Sequence, residues 1–187
     1  PNAAHLHMNF GNTDVNAYST WDTIQNSGGG TCNGGELNRT AYWVPAVFDQ
    51  NGNVRVPDFA NIYYKHDNPF DNPANIGYYP DNVQLVSKGI TENEGQSFMC
   101  INEWGGDQSN RVIFIDQLQC PGGLVSGQAK RYFEQNVLFQ NCWNGQDPAN
   151  TNNFTVSMYS YFGGPCPSGF PQRLPNIRYR IRYTVEP

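Results

Sequence analysis

The chain is 187 residues long, carries a formal net charge of −5, and is only 14% charged while 14% aromatic. Its length suits one domain, residues 1–187, with a sizeable core. The negative balance excludes non-specific affinity for DNA or RNA phosphates, and no apolar stretch approaches the ~20 residues needed to span a bilayer.

The dominant pattern along the chain is two-residue alternation, the period of a half-buried strand, and no segment carries a long helical stripe. Ala4, Leu6, Met8 and Phe10 alternate with His5, His7 and Asn9, which predicts a strand with both histidines on its outer face. Tyr42 to Val44 and Ala46 to Phe48 read as strand interrupted by Pro45, hence an edge or a bulge. Asp49-Gln50-Asn51-Gly52-Asn53 predicts a hairpin turn into Val54-Arg55-Val56. Residues 65–82, with their Pro, Gly, Asp and Asn, predict a loop, and Ser27 to Gly30 a flexible one.

Val83 to Val86, Ser97 to Ile101 and Val112 to Ile115 read as further short strands. Lys130 to Phe139 fits helix or strand, with strand the better reading, and Phe154, Val156 and Met158 alternate with Thr155, Ser157 and Tyr159. The clearest strand is the last, with Ile177, Tyr179, Ile181, Tyr183 and Val185 on one face and Arg178, Arg180, Arg182 and Thr184 on the other. Many short strands between Gly, Asn and Pro turns predict an all-β fold, a β-sandwich or jelly-roll with long loops.

The five cysteines are Cys32, Cys100, Cys120, Cys142 and Cys166, none in a zinc-ribbon spacing. Two bridges and one odd thiol are expected, in an oxidising compartment. Cys100 with Cys120 and Cys142 with Cys166 each bracket a strand–loop–strand unit; spacing alone leaves the connectivity open, and Cys32 is then free or bonded elsewhere. Sequons at Asn38 and Asn153 fit a secreted chain and are candidate glycosylation sites.

Four constellations bear on chemistry. His5 and His7 stand about 7 Å apart on one strand face, a usable pair of metal ligands that needs a third, from His66 or from Asp14, Glu36 or Asp67. Without that third ligand they are ordinary solvent-facing histidines, and no cofactor is otherwise expected. Glu36, Glu103, Asp107, Asp116 and Glu134 are the carboxylates to test for glycoside chemistry, which needs two of them about 5 to 9 Å apart; isolated acids are more often surface groups.

Tyr42, Trp43, Tyr63, Tyr64 and Trp104 are candidate ring platforms for a sugar or an interface, with Tyr42 and Trp43 expected to split in and out. Trp143, beside Cys142, is expected in the core. The arginines of the last strand require cross-strand acids, an anionic glycan or another subunit, and the plainest expectation is a solvated basic face.

Short motifs in order extend the picture: HLHMNFGN from His5, TAYWVP from Thr40, YYPDNVQLVSKG from Tyr78, CWNG from Cys142 and GPCPSGFPQRLP from Gly164. Together they resemble an uncharacterised family of secreted domains whose fungal members often accompany WSC cell-wall-binding modules. The resemblance implies secretion, a β-rich fold and association with cell-wall polysaccharide. It matches His5 and His7 to the family's opening histidine pair, and Cys142, Trp143 and Cys166 to its closing scaffold.

Departures from the pattern fall on ionisable groups. Asn38 stands where the family carries Asp, Asn152, Asn153 and Val156 replace an Asp-His run and a second His, and Phe170 replaces a His after Cys-Pro. Scaffold kept while ionisable groups are exchanged suits a domain used for binding or assembly. The chain also begins inside the opening motif, so a preceding segment is expected.

The leading expectation is therefore a non-catalytic extracellular domain at a cell or virion surface that self-associates or packs with other structural chains. The alternatives are a carbohydrate-binding module, or a polysaccharide-active hydrolase or lyase using the histidine pair.

Overall fold

The computed structural model describes residues 5–65, 72–81, 83–87, 90–91, 94–102, 111–120, 131–146, 157–159 and 165–185. Among the described residues the structure is mostly antiparallel β-strand, with one short helix and three 3₁₀ turns, and the strands form sheets of two, five and three members. None of these sheets closes into a barrel. The chain divides into two compact units, Pro1–Val56 and Pro57–Pro187.

The first unit is built on β1 (His7–Gly11) and β2 (Ala41–Pro45), paired antiparallel with Phe10 opposite Tyr42 and Asn9 opposite Trp43. Alternation sends Tyr42 and Val44 inward, each 1% exposed. Val47 is also buried, three residues after Val44, so the two-residue phase breaks at Pro45–Ala46. A proline cannot donate to a ladder, and of the edge or bulge expected there the structure has the edge: the pairing runs without a register shift from His7 opposite Pro45 to the Ala46 amide on the Leu6 carbonyl. Beyond it the Asp49 turn forms. Asp49 Oδ1 accepts the amides of Asn51 and Asn53 at 2.8 and 2.9 Å, and Phe48 bridges Val54. The Asn53 side-chain amide, donating to Asp49 Oδ2 at 3.0 Å, together with these backbone bonds holds the Asp49 carboxyl below its usual range.

Between β1 and β2 the chain makes an excursion organised by Asn12, a buried residue that composition does not single out. Its Nδ2 donates to the carbonyls of Ile24 and Ser27 at 2.8 and 2.9 Å, and its Oδ1 accepts from Asp14 N at 2.8 Å. Ile24 lies in α1 (Trp21–Asn26), six residues long and started by a reciprocal cap in which Thr20 and Thr23 each bond the other's amide. The flexible Gly-rich loop expected at Ser27 to Gly30 is corrected by this arrangement. Gly29 exchanges hydrogen bonds with Thr13, Gly30 bridges Asn12, and a Cβ on Gly28 (φ +75°) would run into the Asn12 side chain. Glycine is required there because the backbone lies against Asn12.

The second unit carries β3 (Phe59–Lys65), β4 (Ile90–Thr91), β5 (Glu94–Asn102), β6 (Arg131–Leu138), β7 (Cys142–Trp143), β8 (Ser157–Tyr159), β9 (Gln172–Arg173) and β10 (Asn176–Thr184). Its main sheet runs β3-β10-β6-β5-β4, and a smaller one β8-β7-β9. One face of the main sheet is apolar, with Ile177, Ile181, Tyr183, Val137 and Phe98 buried. A polar chain crosses it: Gln135 Nε2 donates to Gln96 Oε1 at 2.9 Å, and the Tyr183 hydroxyl, which burial pushes up to about 12, donates to Gln135 Oε1.

The opposite face carries the arginines, and it is not the solvated basic face expected. Glu134, fully buried, takes Arg180 Nε on one carboxylate oxygen and Arg182 Nε on the other, each at 2.8 Å. Asn136 adds a third donor at 3.0 Å. The register accounts for this, since Arg182 lies directly opposite Glu134 and Arg180 directly opposite Asn136. Met99, Ile101 and Tyr132 form an apolar cluster on the same face. Strand β6 is thus buried on both sides, which is why its sequence reads ambiguously.

Two expected strands are absent. Val83 to Val86 is irregular chain, held by the Ser87 hydroxyl on the Leu138 carbonyl and not by a backbone ladder. Val112 makes a single bridge to Phe98 before the chain turns into the 3₁₀ segment Ile115–Gln117. Of the expected loop 65–82, the described part 72–81 includes one 3₁₀ turn, Pro73–Asn75. Disulfides join Cys100 to Cys120 and Cys142 to Cys166, and Cys32 is a free thiol.

Removing one partner of a buried ion pair strands the remaining charge, at a cost of about 3 kcal/mol or more. Glu134→Ala is expected to lose at least that in urea unfolding. Glu36→Ala, which breaks an exposed pair with Arg39 at 3.7 Å, should lose less than ~1 kcal/mol. Equal losses would contradict the structural role given to Glu134.

Candidate functional site

The exposed face of the β1–β2 ribbon gathers three of the residues singled out by sequence. His7 stacks on Trp43 with ring centroids 4.1 Å apart and planes within 16°. His5 tilts against His7 at 4.7 Å and lies 6.4 Å from Trp43. The geometry follows from the strand register, because Trp43 lies opposite Asn9 and its ring meets His7 diagonally across the pair. Tyr42 points the other way, into the core, where its hydroxyl donates to Asn38 Oδ1 at 2.9 Å. Adjacent aromatics therefore have different roles, one in packing and one on the surface.

The two imidazoles differ in surroundings. His7 has one ring face shielded by Trp43, and this desolvation, with the nearby charge of His5, lowers its pKa from 6.5. A neutral His7 ring over an indole is an apolar, flat surface with polar edges, the kind on which a sugar ring stacks. Among the described residues, no group of three or more His, Cys, Asp or Glu is placed to hold a metal ion. The pair alone supplies two nitrogens. His66 and Asp67 lie outside the described residues, Asp14 is not brought into a ligand group with the pair, and Glu36 pairs with Arg39.

The remaining candidates are dispersed. Tyr63 and Tyr64 sit in the second unit on opposite faces of β3, Tyr63 opposite Arg178 and Tyr64 opposite Ile177. Lys65 Nζ lies 5.4 Å from the Tyr63 ring centroid, and Tyr64, 48% exposed, packs edge-on against Tyr79. The Tyr79 hydroxyl donates to the Pro175 carbonyl, and burial raises its pKa. Trp104, Glu103, Asp107 and Asn153 lie outside the described residues.

Asn38 is half-buried at the end of the 3₁₀ turn Gly35–Asn38, with its amide directed at the Asn33 carbonyl. Trp143 is half-buried, with its indole donating to Gln146 O at 3.1 Å, and so is not the core residue expected. Asp116 is exposed, and Glu134 is held by two arginines and an amide, which removes it from the set of free carboxylates. Sequence reasoning missed the Asn12 hub and the Gln96–Gln135–Tyr183 chain, because isolated Asn and Gln carry no periodic signal.

The chain belongs to the family described as domain of unknown function DUF1996, whose model matches residues 1–187. No curated protein and no solved structure matches it.

The lowered His7 pKa has a sign. An unfolded histidine near 6.5 takes up protons that folded His7 resists. Stability from this group is therefore complete above pH 6.5 and falls as pH drops toward the lowered value. His7 is expected to titrate below 6.5 by NMR, moving back up in His5→Ala as the like charge is removed, and further in a Trp43→Ala, His5→Ala double variant. No movement in either variant would contradict the stacking account.

Proposed function

We propose that the chain is a non-catalytic extracellular domain that packs with further copies of itself into a surface layer, filament or virion coat. The observation carrying this reading is the apolar margin of the first unit. Leu6, Phe48, Val54 and Val56 are 54%, 51%, 41% and 79% exposed along the ribbon and its hairpin. Phe48 and Val54 pair across the hairpin, and neighbouring large apolar side chains left exposed mark interaction surfaces.

Among the described residues, β1 and β2 pair only with each other in their sheet, and a two-stranded ribbon is marginal alone and offers an open edge to another chain. The low charge of the chain, 14%, gives such an edge little electrostatic protection against association. The two disulfides support an oxidising, extracellular compartment, and no described helix is long and apolar enough to cross a membrane. One family model spanning residues 1–187 supports reading both units as one domain. The buried apolar face of the main sheet suits one layer of a β-sandwich.

A second reading, carbohydrate binding, is favoured by the Trp43–His7–His5 ring array. The two readings involve different parts of the ribbon and are separable by mutation.

In sedimentation velocity, the wild-type chain is expected to show mass above 21.0 kDa that rises with concentration. Val56→Lys with Phe48→Lys should return it to monomer at equal concentration, and Trp43→Ala should leave assembly intact while removing any fluorescence response to polysaccharide. A wild-type chain that stays monomeric at millimolar concentration contradicts the assembly reading.

A further inference from the structure

We propose that the arginine face of the second unit's main sheet is an oxyanion-binding site, built by Arg180 and Arg182 and braced by Glu134. Each arginine side chain uses Nε on the Glu134 carboxylate, and that is the side chain's only polar contact among the described residues. The Nη groups of both guanidiniums are therefore uncommitted. Both side chains reach solvent, at 26% and 17% exposure, while the carboxylate beneath is at 0%. Two residues apart on one strand face and joined through the two oxygens of one carboxylate, the guanidiniums are neighbours that one carboxylate or sulfate group can bridge.

Arg178 and Lys65 lie on the same face but are engaged by other groups, and Asp58, just before β3, accepts from the amide and hydroxyl of Thr184. Arg180 and Arg182 are therefore the cations of the site. In the same cross-strand row as Arg180 and Asn136 lies Ser97, 1% exposed, whose hydroxyl has no hydrogen-bond partner among the described residues. Asn136 separates Ser97 from Arg180, so this buried, unpartnered hydroxyl is a polar vacancy on the same face that water accompanying a bound anion can fill.

Glu134 gives the site its form. By fixing both Nε atoms it removes most of the rotamer freedom of two long side chains, so the Nη groups are pre-oriented before any ligand arrives. The chemistry recognised is a carboxylate or sulfate, either free in solution or carried on an acidic polysaccharide. The proposal concerns the second unit alone and stands apart from self-association through the first.

The test is calorimetric titration at constant ionic strength, with sodium sulfate and with trigalacturonate as probes. Saturable binding of at least one is expected. In an Arg180→Lys, Arg182→Lys double variant, both positive charges opposite Glu134 remain but the outward Nη groups are gone. Affinity should fall about tenfold or more, the loss expected for charged hydrogen bonds, while the urea midpoint stays near that of wild type. Tighter binding of trigalacturonate than sulfate supports the site and assigns the anion to an acidic glycan; equal binding supports it as a site for a free anion. Absence of binding by both probes, or unchanged affinity in the double-lysine variant, overturns it.

Discussion

A single buried carboxylate sets the register of the main sheet. Glu134 sits at the centre of β6, and its two oxygens take donors from Arg180 and Arg182 of the neighbouring strand. A slip of one residue between β6 and β10 would turn Glu134 onto the apolar face beside Ile181 and Tyr183. A desolvated charge without partners is too costly to tolerate there. The alternation of β10, apolar on one side and arginine on the other, is thereby locked to one pairing. The rest of the sheet, out to β3 and β5, inherits that alignment.

The first unit uses the same device without charge. Asn12 satisfies backbone groups from α1, from the Ser27–Gly30 segment and from its own turn, so that a long excursion between two short strands is fixed by one amide. Buried polar groups with complete hydrogen bonding specify a conformation more than they add stability. In both units the interior is therefore organised by a polar side chain whose chemistry is already engaged, Glu134 in one and Asn12 in the other. Among the features presented to solvent are the ring array of Trp43, His7 and His5, the apolar margin around Phe48 and Val56, and the side chains of two arginines.

How legible this was in the sequence depended on where each segment lies. Strands with one face buried, β1 and β10, kept a clean alternation and were readable, as was the Asp49 turn, whose Asp, Asn and Gly have defined jobs. Strand β6 lost its alternation because both faces are covered. The helix Trp21–Asn26 is too short to show a stripe, and its Thr20–Thr23 cap departs from the usual acidic pattern. Val83 to Val86 has strand composition but is tied down through the Ser87 side chain. At the candidate site the histidine pair was visible. The stacking of His7 on Trp43 was not, since it arises from a diagonal cross-strand contact between segments 36 residues apart.

The central claim is that the exposed ribbon margin of the first unit is a surface for contact between copies of this chain. Hydrogen–deuterium exchange on the intact protein, dilute and then concentrated, tests it most directly. The account predicts added protection on concentration confined to residues 6–11 and 45–56, with exchange in β6 and β10 unchanged. Identical exchange at both concentrations, or protection placed only in the second unit, would contradict it.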